Sequence, residues 1–168
     1  MSMRHAISIL VDNQAGVLSR VVGLFAGRGF NIESLSVAPT LDPTKSKMVI
    51  TTTGNEQVLE QIKKQLNKII NVIKVVDFMD KDYVEREMIL IKVKAQEETR
   101  AEVFRIAEIF RAKVLDVSHS SFTIALTGDQ DKLKAFIDLL APAGIIDFIR
   151  TGTIVMEREM QAKRRTDQ

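Results

Sequence analysis

Read by the spacing of its apolar residues, residues 6–78 run strand, helix, strand, strand, helix, strand, and the same order begins again at residue 88. A repeated βαββαβ order constrains the fold more than any other feature of the chain. Each strand is too short to stand alone, and each helix has one apolar stripe to bury, so each half is expected to close as its own small two-layer α+β unit. A length of 168 residues suits two such units. In the first, residues 6–11 are apolar enough for a buried strand. Val17, Leu18, Val21, Val22, Leu24 and Phe25 then fall on a helical stripe. Strands are expected at 35–38 and 48–53, the second alternating Met48, Ile50 and Thr52 with Val49, Thr51 and Thr53, and Pro39 and Pro43 mark the irregular connection between them. Asn55 is placed to cap a helix with the stripe Val58, Leu59, Ile62, Leu66 and Ile69, and 72–78 forms the closing strand.

The second unit is expected to open with a strand at 88–93. Thr99 and Glu102 have capping-box spacing before a helix that carries Val103, Ile106, Ile109 and Phe110. Strands follow at 114–117 and 122–126, a helix over 132–140 stops at Pro142 and Gly144, and 145–149 with 153–156 supplies the last strand material. The resulting divisions are 1–79, a charged linker at 80–87, 88–156, and a charged tail at 157–168. The tail holds Glu157, Arg158 and Glu159 beside Lys163, Arg164 and Arg165 and reads as mostly solvated.

Composition narrows the function classes. Hydrophobic residues at 45% and charged residues at 27% describe a chain that buries a core. A net charge of +2 is too small an excess to indicate nucleic acid, and aromatics at 5% leave strands 35–38 and 48–53 without stacking residues for RNA. Without cysteine there is no disulfide framework, thiol nucleophile or thiolate metal site. The N-terminus lacks a long apolar run, and nowhere do about eighteen apolar residues follow one another, so a cytoplasmic protein without membrane spans is expected. His5 and His119 form no metal pair, and Asp116, His119, Ser120 and Ser121 cluster at a strand-to-strand turn, where a solvated turn accounts for them better than a hydrolytic triad. No catalytic residue and no metal or cofactor site is expected in this chain.

The most informative local pattern is Asp12, Asn13, Gln14, Ala15, Gly16, Val17 and Leu18, where a strand enters a polar turn and the turn enters an apolar helix. The free N–H groups and positive dipole end at 16–18 can receive a small carboxylate. Asn13 brings two donors and an acceptor, and Gly16 allows close approach, although both residue types are also ordinary in a plain turn. A second polar segment, Asn31 to Ser34, starts the next strand after Gly27 and Gly29. The second unit has Ala95, Gln96, Glu97, Glu98 and Thr99 at the matching turn, where acidic side chains compete for the dipole end, so only the first unit is expected to bind an anion-bearing effector.

The order D-N-x-x-G-V-L-S-R over 12–20, G-L-F-A-G-R-G-F-N-I-E-S-L-S-V-A-P-T over 23–40, and the segments 58–66 and 84–87 resemble the small regulatory subunit of bacterial acetohydroxyacid synthase, also called acetolactate synthase, along almost the whole chain. That resemblance implies two tandem ACT-type domains, ferredoxin-like in topology, and a homodimer through the N-terminal pair. It implies an effector site in which Asn13, Gly16, Val17 and Leu18 of one chain hold the head group of valine or a related branched-chain amino acid. Asn31, Ile32 and Ser34 of the neighbouring chain would close it. It also implies a partner, the catalytic subunit with thiamine diphosphate, Mg and FAD, that this chain activates and makes sensitive to feedback inhibition, the second unit being the candidate contact. A stand-alone amino-acid-responsive regulator is the alternative.

Overall fold

The structure is a computed structural model that describes residues 3–159. Its chain order is β1 (Met3–Asp12), α1 (Val17–Gly27), β2 (Ile32–Pro39), β3 (Lys45–Gly54), α2 (Glu56–Leu66), β4 (Val72–Asp77), β5 (Tyr83–Lys94), α3 (Arg100–Ile109), β6 (Lys113–Val117), β7 (Ser121–Gly128), α4 (Gln130–Leu140), β8 (Ile145–Arg150) and β9 (Ile154–Glu157), with a 3-10 turn at Ala141–Ala143. The described residues divide into a first unit of 3–84 with 155–159 and a second unit of 85–154.

In the first unit the sheet order is β2-β3-β1-β4, all pairs antiparallel. Alternation along a strand sends Ile7, Ile9 and Val11 of β1 and Met48 and Ile50 of β3 to one face. There they meet Val17, Val21 and Phe25 of α1 and Leu59, Ile62 and Leu66 of α2 in one buried cluster. Burying each such side chain contributes about 1.5–3 kcal/mol. The opposite face is covered in part by a smaller cluster of Ala6, Val49, Phe78 and Val155, with Tyr83 packed edge-on to Phe78 at 5.4 Å between centroids.

The second unit repeats the plan with the order β6-β7-β5-β8, and β9 also pairs with β5. Ile89, Ile91 and Val93 of β5 and Ile124 and Leu126 of β7 pack against Val103 and Ala107 of α3 and Leu133, Phe136 and Leu140 of α4. The expected pair of tandem βαββαβ units is what the chain forms.

The helix ends follow local chemistry, with one correction. Asn55 caps α2 as expected, its side chain accepting the Val58 N–H at 2.9 Å. Asp129 does the same for α4 with Lys132, which starts that helix two residues before the expected 132. The capping box at Thr99 and Glu102 does not form. Thr99 has helical rather than extended dihedrals, and its hydroxyl donates to the Gln96 carbonyl at 3.5 Å instead of accepting a first-turn N–H. Gly29 closes α1 at φ +70°, with Phe30 N–H bonded to Phe25 O and Gly29 N–H to Ala26 O, a Schellman ending.

Three further expectations change. Residues 83–87 of the expected linker belong to β5, where Glu87 is buried because Arg150 lies at 3.0 Å from its carboxylate. Ile109, expected on the buried stripe of α3, is 70% exposed. Glu157 of the expected tail closes β9, and Lys163, Arg164 and Arg165 lie outside the described residues.

Candidate functional site

The turn from β1 into α1 lies over a crevice of about 260 Å³. Its rim carries Asn13, Gln14 and Leu18, and its apolar wall is built by Val17 of α1, Val37 of β2 and Met48 of β3. The start of α1 is chemically distinctive. Among the described residues it is the α-helix start that has neither a side-chain cap bond nor an acidic residue in the first turn. Helix geometry leaves the N–H groups of the first turn without partners inside the helix; that of Val17 bonds back to Gln14 O at 3.4 Å, and the others leave donors and a positive dipole at this end.

Gly16 precedes the helix at φ +85° and ψ −11°. That left-handed conformation is what calls for glycine here, since a Cβ built on it meets nothing within 4 Å. Asn13 is partly spent on the fold: its N–H donates to Thr44 O at 2.8 Å and its Nδ2 to Pro43 O at 2.9 Å. The expected offer of two donors to a ligand therefore reduces to one amide hydrogen and the carbonyl oxygen. Val17 is buried beneath the turn, and Leu18 stands 40% exposed on the rim.

Asn31, Ile32 and Ser34 are not at this crevice within the chain. Ile32 pairs with Thr52 and Pro39 with Ser46, so the start of β2 lies at the end of the sheet away from α1's first turn. Asn31 accepts the Thr52 hydroxyl through its carbonyl at 2.7 Å, and Ser34 shares a 2.6 Å hydrogen bond with Thr51.

Two features escaped the sequence reading. Asn71, just before β4, holds the turn from below. Its carbonyl accepts the Asp12 N–H at 2.9 Å, its Nδ2 donates to Asp12 Oδ2 at 3.3 Å and to Gln14 Oε1 at 3.4 Å, and its Oδ1 accepts from Arg20 at 2.8 Å. The partners lie more than fifty residues away, so no local pattern signals them. The second is Asp42, which orders the loop that receives Asn13. The Thr44 hydroxyl at 2.6 Å and the Thr44 N–H at 2.9 Å hold its carboxyl below the usual carboxylate range. Because the folded value is the lower one, the loop gains from this group above the ordinary pKa and loses that gain as pH falls through the depressed value. The Thr44 amide resonance is therefore expected to titrate at a lower pH than an aspartate in an unstructured peptide, as NMR in acid would show.

No group of three or more His, Asp or Glu side chains among the described residues is arranged to hold a metal ion, and no described helix is long and apolar enough to cross a membrane. The crevice sets helix-start N–H donors beside an apolar wall.

Fold and crevice define an ACT-domain protein, and residues 7–74 match the family model of the AHAS small subunit-like ACT domain. Residues 86–159 match the model of the small subunit of acetolactate synthase. The chain is 48% identical over 157 residues to the acetolactate synthase small subunit of Haemophilus influenzae, covering 93% of this chain and 96% of that one. It is 50% identical over 156 residues to the probable acetolactate synthase small subunit of Archaeoglobus fulgidus, covering 93% and 98%. The crystal structure of the small subunit from Thermotoga maritima superposes with a TM-score of 0.85 at 42% identity, covering 93% of this chain and 98% of that one. The chain belongs to the acetolactate synthase small-subunit family, whose place is branched-chain amino acid biosynthesis.

Proposed function

We propose that this chain is a regulatory subunit that activates an acetolactate synthase catalytic subunit and carries its feedback inhibition by valine or a related branched-chain amino acid. The observation that supports it most is the uncapped start of α1 above an apolar crevice. The amides there receive the ligand carboxylate, worth at most about 2 kcal/mol. Burial of a valine-sized side chain against Val17, Val37 and Met48 adds about 1.5–3 kcal/mol. The sum corresponds to millimolar to high-micromolar affinity, which suits a sensor of metabolite concentration.

A second copy of the chain fits this reading through the sheet edge. β2 is an edge strand, with β3 on one side only. Two copies joined antiparallel through β2 would bring Asn31 and Ile32 of one beside Val37 to Pro39 of the other, and so to the crevice from which the single chain's own fold keeps them. In this account the catalytic subunit carries thiamine diphosphate, Mg and FAD and does the chemistry. The small subunit acts through populations: valine favours one arrangement of the dimer, and that arrangement supports the active catalytic site less well. The second unit, whose matching turn carries Glu97 and Glu98, is left free for contact with the catalytic chain.

Calorimetric titration with valine, leucine and isoleucine, together with co-purification of the chain with its catalytic subunit, tests the reading. Saturable binding of at least one of the three and a stable complex are expected. Binding of the amino acid without a complex would favour a stand-alone regulator, and no binding would reject the effector site.

A further inference from the structure

The face of the first sheet opposite its helices carries a groove of about 350 Å³ that the effector site does not use. Its floor is Leu10 of β1, Val76 of β4 and Phe78, and Met156 forms one wall. Leu10 stands opposite Lys47 on β3 and opposite Lys74 on β4, so one row across three strands reads lysine, leucine, lysine. At about 4.8 Å between neighbouring strands, the two lysine backbones stand roughly 10 Å apart, both side chains on the groove face. Both lysines are exposed and neither has an ion-pair partner among the described residues, whereas Glu157 at the rim is already held by Lys81 at 2.8 Å. The next row down is covered by Val155 and Tyr83; the lysine row is open.

We infer that this row is a docking surface for a segment of the catalytic subunit that presents an apolar side chain between two carboxylates. Charge complementarity commits the occupant: two uncompensated ammonium groups flanking an apolar floor repel a basic segment and leave a neutral one without partners for them. The location adds a regulatory consequence. Along β1 and β3, residues alternate between faces, so Leu10 and Lys47 line this groove while their chain neighbours Val11 and Met48 line the effector crevice. A ligand that shifts those strand ends shifts the lysine row with them.

The inference rests on the regulatory-subunit reading, and the test separates the two. The full chain and its catalytic subunit are mixed, and the small-subunit concentration for half-maximal activation is measured at low and high salt. In K47E/K74E that concentration is expected to rise at least about tenfold at low salt, while valine binding to the isolated chain stays within about twofold and circular dichroism is unchanged. K47R/K74R retains activation, and K47Q/K74Q, which adds no repulsion, shows a smaller loss in the same direction. Association of the wild-type chain that is insensitive to salt and undiminished in K47E/K74E overturns this inference alone. A wild-type chain that does not associate at all overturns the regulatory-subunit reading with it.

Discussion

Gly16→Asp is expected to raise the valine concentration needed for half-inhibition by between about tenfold and a hundredfold, while activation of the catalytic subunit persists. The new carboxylate would sit where a helix cap sits and accept the first-turn N–H groups that the ligand carboxylate otherwise uses, at a helix start with no competing cap or acidic residue of its own. Losing a contact worth up to about 2 kcal/mol, with like-charge repulsion added, gives that range, since each 1.4 kcal/mol is about tenfold. Folding is little affected because two terms oppose each other. A non-glycine residue at φ +85° costs roughly 1–2 kcal/mol, and an aspartate cap returns about 1 kcal/mol. Valine inhibition curves of the reconstituted enzyme, read beside the melting temperature of the small subunit, check both halves of the expectation. Unchanged inhibition would remove the α1 start from the effector site.

The largest loss of stability is expected from Phe25→Ala, about 3–5 kcal/mol. Phe25 has 0% exposure in the cluster that joins α1, α2 and the first sheet, and its carbonyl also takes the Phe30 N–H that ends α1. Truncation leaves a cavity between helix and sheet that neighbouring side chains fill only in part. Chemical denaturation followed by circular dichroism would report the change, with Leu18→Ala as the contrast: Leu18 is 40% exposed on the same helix and is expected to cost far less. Similar losses in the two variants would mean that α1 is not anchored through its buried stripe.

What was readable in the sequence follows from how local each signal is. Apolar runs and periodicity located the strands and helices because the buried stripes of α1 and α2 and the alternation of β3 are properties of neighbouring residues. Asn55 was legible as a cap for the same reason. The start of β5 was not, because Glu85 and Glu87 look like linker residues until Arg150, sixty-three positions after Glu87, supplies the opposite charge. Thr99 failed as a cap because the Gln96 carbonyl begins the helical turn earlier, a competition between two local patterns that spacing alone does not decide. At the crevice, Val17 and Leu18 were named from the strand-to-helix turn that Gly16 makes, while the wall residues Val37 and Met48, and Asn71 beneath the turn, arrive through tertiary pairing. Asn13 was found for its donors, yet part of its hydrogen bonding serves the loop at Pro43 and Thr44.

Val155 has a consequence for how the chain matures. It is 6% exposed and packs with Ala6, Val49 and Phe78, residues made before the second unit, although it follows the whole of the second unit in the chain. A nascent polypeptide can form the helix-covered face of the first sheet early, but the other face stays unfinished until the second unit has been made. The first unit to begin folding is thus the last to be completed, and a ribosome that stops short of residue 155 releases a product with an uncovered apolar patch on an otherwise formed sheet.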